Sequence, residues 1–192
     1  MTPRASLKPV RTSDIIKIIG KSPNNTITPI ITDIVNKSIA SSAVPPLLKK
    51  ALVTPILKKS SLDPELLKNF RPISNLPFLG KTLEKVVSSQ LQDHVKTSNL
   101  NDKYQSAYRP AHSTETAMLR ITNDLLLEAD DGNMGCLVLL DLSAAFDTID
   151  HQILLQRLSS RLHLSESAVK WFSSYLDERY QSVTIADATS DS

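Results

Sequence analysis

Cys136-Leu137-Val138-Leu139-Leu140 runs straight into Asp141, five apolar residues ended by a carboxylate. An unbroken apolar run of this length predicts a strand covered on both faces. A carboxylate at its end sits where a sheet surfaces, a position that can offer oxygen ligands to a hard cation such as Mg²⁺. A strand-end aspartate also commonly caps the next turn, so the pattern alone does not decide between the two. Asp147, Asp150 and His151 follow closely. Clustered carboxylates with a histidine open the reading of a metal-dependent phosphoester hydrolase. Asp147 and Asp150 equally lie where a loop enters a helix beginning near His151, and aspartates there satisfy free backbone N–H groups.

Working outward, Asp130-Asp131-Gly132-Asn133 has the composition of a turn. Before it, a helix capped near Ser113 carries Ala117, Ile121, Leu125 and Leu126 on one side. Asn75-Leu76-Pro77 opens a longer helix whose face is Leu79, Leu83, Val86, Val87, Leu91 and Val95. Ala51 to Leu57 and the extended Phe70-Arg71-Pro72-Ile73 predict a β-hairpin with Lys58 and Lys59 near its tip, and Pro55 confines the first strand to an edge. Thr28 before Pro29 predicts a helix start, followed by Ile30, Ile31, Ile34, Val35 and Ile39 at helical spacing. Ile15, Ile16, Ile18 and Ile19 predict a shorter helix. Downstream, Ile153, Leu154, Leu155 and Leu158 predict one helix, and Ser165 caps another through Trp171-Phe172 to Leu176. A strand starts at Ser182-Val183-Thr184-Ile185.

The 192 residues suffice for one domain or a large part of one. With 41% hydrophobic and 22% charged residues, the chain is neither collagen-like nor wholly disordered. One cysteine excludes a disulfide framework and a thiolate zinc site, and suits a reducing compartment. No apolar run approaches the roughly 18 residues of a membrane span, and the start lacks the apolar core of a signal peptide, so the expectation is a soluble intracellular protein, cytoplasmic or nuclear. The net charge of +2 hides a gradient: residues 1–61 carry ten Lys/Arg against two Asp/Glu, and residues 122–192 carry four against twelve. A basic segment suits a polyanion and an acidic one a divalent cation.

Four collinear blocks narrow the reading. Leu137-Val138-Leu139-Leu140-Asp141-Leu142-Ser143-Ala144-Ala145-Phe146-Asp147-Thr148-Ile149-Asp150-His151 resembles motif A of reverse transcriptases, in the version of non-LTR (LINE-type, jockey-like) retrotransposons. Ala51 to Lys59, Asn69 to Val86 and Tyr104 to Ala117 agree with that family in order and separation. The resemblance covers roughly residues 27–185. It implies an α+β fold, the fingers and the start of the palm of a right-hand polymerase, with a poorly defined segment at 1–26 and a tail at 186–192.

The resemblance also implies roles. Asp141 would be the catalytic carboxylate and, with the carbonyl of Leu142, a ligand of Mg²⁺ in a two-metal site. Phe146 would lie beneath the incoming sugar and exclude a 2′-hydroxyl. Arg71 and one of Lys58 or Lys59 would hold the triphosphate of a deoxynucleoside triphosphate. Gln105, Tyr108 and Arg109 would line the path of an RNA template paired with a DNA primer. The family's Pro-Gln-Gly block and its Ala-Asp-Asp turn, which carries the other catalytic aspartates, find no match in this sequence. The expectation is a partial polymerase, inactive alone, with an open edge beside the strand ending at Asp141. A non-catalytic nucleic-acid-binding remnant is the alternative from another class, recognised by salt-sensitive binding of little sequence preference.

Overall fold

The computed structural model describes residues 4–20, 26–142, 144–185 and 188–191. Among the described residues, six α-helices and a four-stranded mixed sheet make an α+β fold. The chain divides into two compact units, one formed by residues 1–98 and 150–192, the other by residues 99–149.

In the first unit, helices α1 (Thr12–Ile19), α2 (Ile27–Ser41), α3 (Phe78–Thr97) and α6 (Glu166–Leu176) enclose the main core. Its members are Ile15, Ile31, Val35, Ile39, Val44, Leu83, Val86, Val87 and Trp171. Most of these stand at the helical spacings read from the sequence. α2 begins at Ile27 rather than after Thr28, with Thr28 and Pro29 inside its first turn. Pro29 is tolerated there because first-turn N–H groups have no intrahelical acceptor. Trp171 fills the centre, its ring edge-on to Phe172 at 5.3 Å and stacked on Tyr175 at 5.5 Å. Its indole N–H donates to Ser38 Oγ at 3.0 Å, and that hydroxyl donates onward to the Ala43 carbonyl at 2.6 Å, so no polar atom of the ring is stranded. α5 (His151–Ser160) joins α6 over a second cluster of Leu158, Leu164 and Ala168.

Strands β1 (Ala51–Leu57), β2 (Phe70–Asn75), β3 (Gln181–Ile185) and β4 (Ala188–Thr189) form a sheet in the order β2-β1-β3-β4. The hairpin read from the sequence is present, with β1 and β2 antiparallel and Ile56 opposite Arg71. β1 is not an edge strand: β3 runs parallel to it along Ala51, Leu52 and Val53. The prolines explain how this is possible. Pro55 faces Pro72, a pairing that works only where neither residue donates to the other, the non-hydrogen-bonded position of an antiparallel ladder. On β1 the missing N–H therefore points toward β3, and the β3 pairing stops at Val53, before it is needed.

Residues 4–11 belong to this unit and are held by their backbone. Ala5 pairs with Leu164 in a parallel bridge. The Gln90 side chain accepts from the Lys8 N–H at 2.7 Å and donates to its carbonyl at 2.8 Å. Asn36 does the same for Val10, at 2.8 and 2.9 Å. Lys49, only 4% exposed, inserts its ammonium beneath the end of α6, donating to the carbonyls of Ser174 at 3.1 Å and Asp177 at 3.0 Å. Positive charge there complements the helix dipole.

In the second unit, α4 (Thr114–Asp130) starts as expected at Ser113, whose hydroxyl accepts from Thr116 N–H. Ala117, Ile121 and Leu125 are half-buried and Leu126 is exposed. The strand expected across 136–142 does not form. The segment joins no helix or ladder, and Leu139 and Leu140 are 80% and 89% exposed. An extended segment becomes a strand only through a neighbour that takes its N–H and C=O groups, and none stands beside it among the described residues.

Candidate functional site

The hairpin supplies the basic half of the candidate site. Lys58 and Lys59 follow β1 directly, and Arg71 lies on β2; all three side chains are exposed. Lys58 N–H donates to the Asn69 carbonyl at 2.8 Å, extending the ladder one position past Leu57 and Phe70. Side chains alternate along a strand, so Leu52, Thr54 and Ile56 share a face with Asn75, Ile73 and Arg71, and the extension carries Lys58 onto that same face. The Lys58 ammonium donates to the Lys68 carbonyl at 2.7 Å. Between the strands, Asn69 Nδ2 donates to the Asp63 carbonyl at 2.8 Å, and Asp63 Oδ1 accepts from Glu65 N–H at 2.9 Å.

The remaining sequence-derived candidates lie in the second unit. Asp141 and Leu142 are exposed at the end of the apolar segment. Phe146, 74% exposed, stands in the turn at 144–148, which is closed by N–H groups of Asp147 and Thr148 donating to the Ala144 carbonyl at 2.9 and 3.2 Å. Residue 143 lies outside the described residues. Gln105 donates to the Ala107 carbonyl at 3.0 Å, and Tyr108 is 81% exposed with φ of 60°. Arg109 is turned inward on its own loop, donating to the carbonyls of Asp102 at 3.2 Å and Gln105 at 3.1 Å. Tyr104, which the sequence did not single out, has Lys103 Nζ 5.1 Å and the Arg120 guanidinium 4.9 Å from its ring centre.

The chemistry open to the acidic residues is limited by what gathers around them. Asp150 is a helix cap: its Oδ1 accepts from Gln152 N–H at 2.8 Å and Ile153 N–H at 3.0 Å. No group of three His, Cys, Asp or Glu suited to a metal ion occurs among the described residues. Asp141, Asp147, Asp150 and His151, the residues of the hydrolase reading, are therefore not such a group among the described residues. For Mg²⁺, the Asp141 carboxylate and the Leu142 carbonyl are two oxygens on one exposed segment, and the described residues do not complete a shell around them. No described helix is long and apolar enough to cross a membrane.

Along this α+β chain the basic hairpin precedes the segment ending in Asp141, the order of the blocks read from the sequence. Residues 56–190 match the family described as reverse transcriptase (RNA-dependent DNA polymerase), and the chain belongs to that family. Within it, the chain is similar to polymerases of mobile elements. It is 28% identical over 123 residues to the probable RNA-directed DNA polymerase from transposon BS of Drosophila melanogaster, covering 64% of this chain and 13% of that protein. It is 29% identical over 116 residues to the RNA-directed DNA polymerase from mobile element jockey of Drosophila funebris, covering 60% and 12%. The probable polymerase from transposon X-element of Drosophila melanogaster is 25% identical over 83 residues, 43% and 9% of the two chains. The chain, a member of the reverse transcriptase family similar to the non-LTR, jockey-like kind, spans between 9% and 13% of the length of these curated relatives.

Proposed function

We propose that this chain contributes the fingers and the start of the palm, residues 27–185, to an RNA-directed DNA polymerase, with 1–26 and 186–192 as flanking segments. The observation that carries the proposal is the β1–β2 register, which sets Lys58 and Arg71 on one exposed face of the hairpin. A planar guanidinium and an ammonium on one rigid ladder can grip successive phosphate oxygens, the first as a fork and the second as a point charge. The grip holds the triphosphate of a deoxynucleoside triphosphate, with Lys59 next along the chain as the other available cation.

Gln105, Tyr108 and Arg109 lie along the RNA template, opposite a DNA primer. Arg109 shapes that loop from within, through its two carbonyl contacts, while the exposed Tyr108 ring is the part free to stack on a base. Phe146 forms the floor under the sugar and discriminates against ribose by volume. Asp141 is the catalytic carboxylate and, with Leu142, a Mg²⁺ ligand; both need further ligands to do so.

The test is binding of dTTP to the full chain by titration calorimetry in the presence of Mg²⁺. Arg71→Ala should weaken binding by about tenfold, the worth of one charge-assisted hydrogen bond. Inorganic tripolyphosphate should compete. Binding unchanged in Arg71→Ala and in Lys58→Ala would refute the grip, and a salt-sensitive affinity for an RNA–DNA duplex without any for dTTP would favour a purely nucleic-acid-binding role.

A further inference from the structure

We propose that Asn69 is a positioning residue for this grip, holding Lys58 on the Arg71 face from within the hairpin loop; the inference rests on the nucleotide reading above. Lys58 depends on two acceptors: its N–H on the Asn69 carbonyl at 2.8 Å and its ammonium on the Lys68 carbonyl at 2.7 Å. Both belong to the short helical turn Leu67–Asn69 that leads into β2. That turn has no core to hold it, since Leu66 and Leu67 are 43% and 90% exposed. Polar contacts fix it instead. The Asn69 side chain donates to the Asp63 carbonyl, its N–H donates to the Leu66 carbonyl at 2.9 Å, and Asp63 in turn takes the Glu65 N–H.

Asn69 therefore spans the loop from its far side to its base, and its carbonyl sets the last ladder bond before the tip. The Lys58 ammonium is parked on a neutral carbonyl, and Lys58 itself stands two ladder positions from the Ile56–Arg71 pair, on the same face. A phosphate oxygen carries charge and outcompetes a neutral carbonyl for an ammonium, so the cation is placed for transfer to a triphosphate without a search of its rotamers. If the Asp63 bond is lost, the turn that carries both acceptors is free to move and the parked position is lost with it.

The experiment uses the full chain with dTTP and Mg²⁺ as probe. Asn69→Ala should weaken binding about fivefold, a factor on the scale of one neutral hydrogen bond. Asn69→Asp, which keeps the shape but cannot donate to the Asp63 carbonyl when ionised, should weaken it at least as much. The discriminating measurement is a pair of double-mutant cycles. In the Lys58→Ala background Asn69→Ala should add nothing, whereas in the Lys59→Ala background it should keep its full factor. A general loss of structure would lower the melting temperature and act equally in both backgrounds. Wild-type affinity in Asn69→Ala and Asn69→Asp, or equal factors in the two backgrounds, overturns the inference while the grip stands. Absence of dTTP binding by the wild-type chain overturns the grip and the inference together.

Discussion

Replacing Lys49 by methionine isolates one buried charge. The methionine keeps most of the aliphatic stem and its packing, and removes the ammonium that serves the carbonyls of Ser174 and Asp177 at 3.1 and 3.0 Å. Both carbonyls lie at the end of α6, where no intrahelical N–H reaches them. Hydrogen bonds to a charged donor contribute about 1.5–3 kcal/mol each, and a cation at a helix end adds roughly 0.3–1 kcal/mol. Against this stands the desolvation of the ammonium of a lysine only 4% exposed, several kcal/mol that the substitution relieves. The balance is a net loss of about 2 kcal/mol, because two orphaned carbonyls remain beneath the helix. For a chain of this size that is a fall in melting temperature of roughly 4–8 °C. Thermal unfolding followed by circular dichroism at neutral pH measures it. A Lys49→Met chain that melts at or above the wild type would show that desolvation outweighs the two bonds, and would refute the reasoning.

Other perturbations have equally definite signs. Gly80 lies inside α3, where helix propensity favours alanine by about 1 kcal/mol, yet a Cβ there would stand 2.9 Å from the Leu48 carbonyl oxygen. Gly80→Ala should destabilise in chemical denaturation, with a lower midpoint and an unchanged slope. Asp150→Ala should cost about 1 kcal/mol of stability through the lost cap of α5, whereas Asp150→Ser should recover most of it. Burial, with the hydrogen-bonded carboxylate of Glu84 beside it, pushes the Tyr175 phenol up from 10 to about 12. A raised folded value means its contribution is full below pH 10 and lost as pH climbs toward 12, so the pH dependence of stability in that window should flatten in Tyr175→Phe.

The helices were legible because their signals are local. Ser113, Asp150 and Ser165 are followed at once by helical periodicity, and each caps the helix it announces. The hairpin was legible for the same reason. The segment from Cys136 to Asp141 was not, because an apolar run specifies a tendency to be covered and says nothing about which neighbour covers it; the ladder is a property of two segments. β1 was misread as an edge because Pro55 forbids pairing at one position only, and the β3 pairing ends short of it. Lys49 gave no signal at all: a lysine in a Lys-Lys pair reads as solvated surface, and only the fold brings the end of α6 over it. Of the candidate site, residue types and order were readable, whereas the face shared by Lys58 and Arg71 required the register.

The hydrogen bonds of the two side-chain amides that hold residues 4–11 go to backbone at Lys8 and Val10: Gln90 and Asn36 take the N–H and serve the C=O, as a neighbouring strand would. Attachment of this kind is indifferent to residue identity as far as those bonds go. Substitution at position 8 should be tolerated across polar and charged types, with proline the exception because it deletes the donor. The stringency falls on the reader rather than the read: Gln90→Glu or Asn36→Asp keeps the size but replaces a donor with a second acceptor, which then faces a carbonyl. Tolerance at position 8 and stringency at the two amides are two sides of one arrangement.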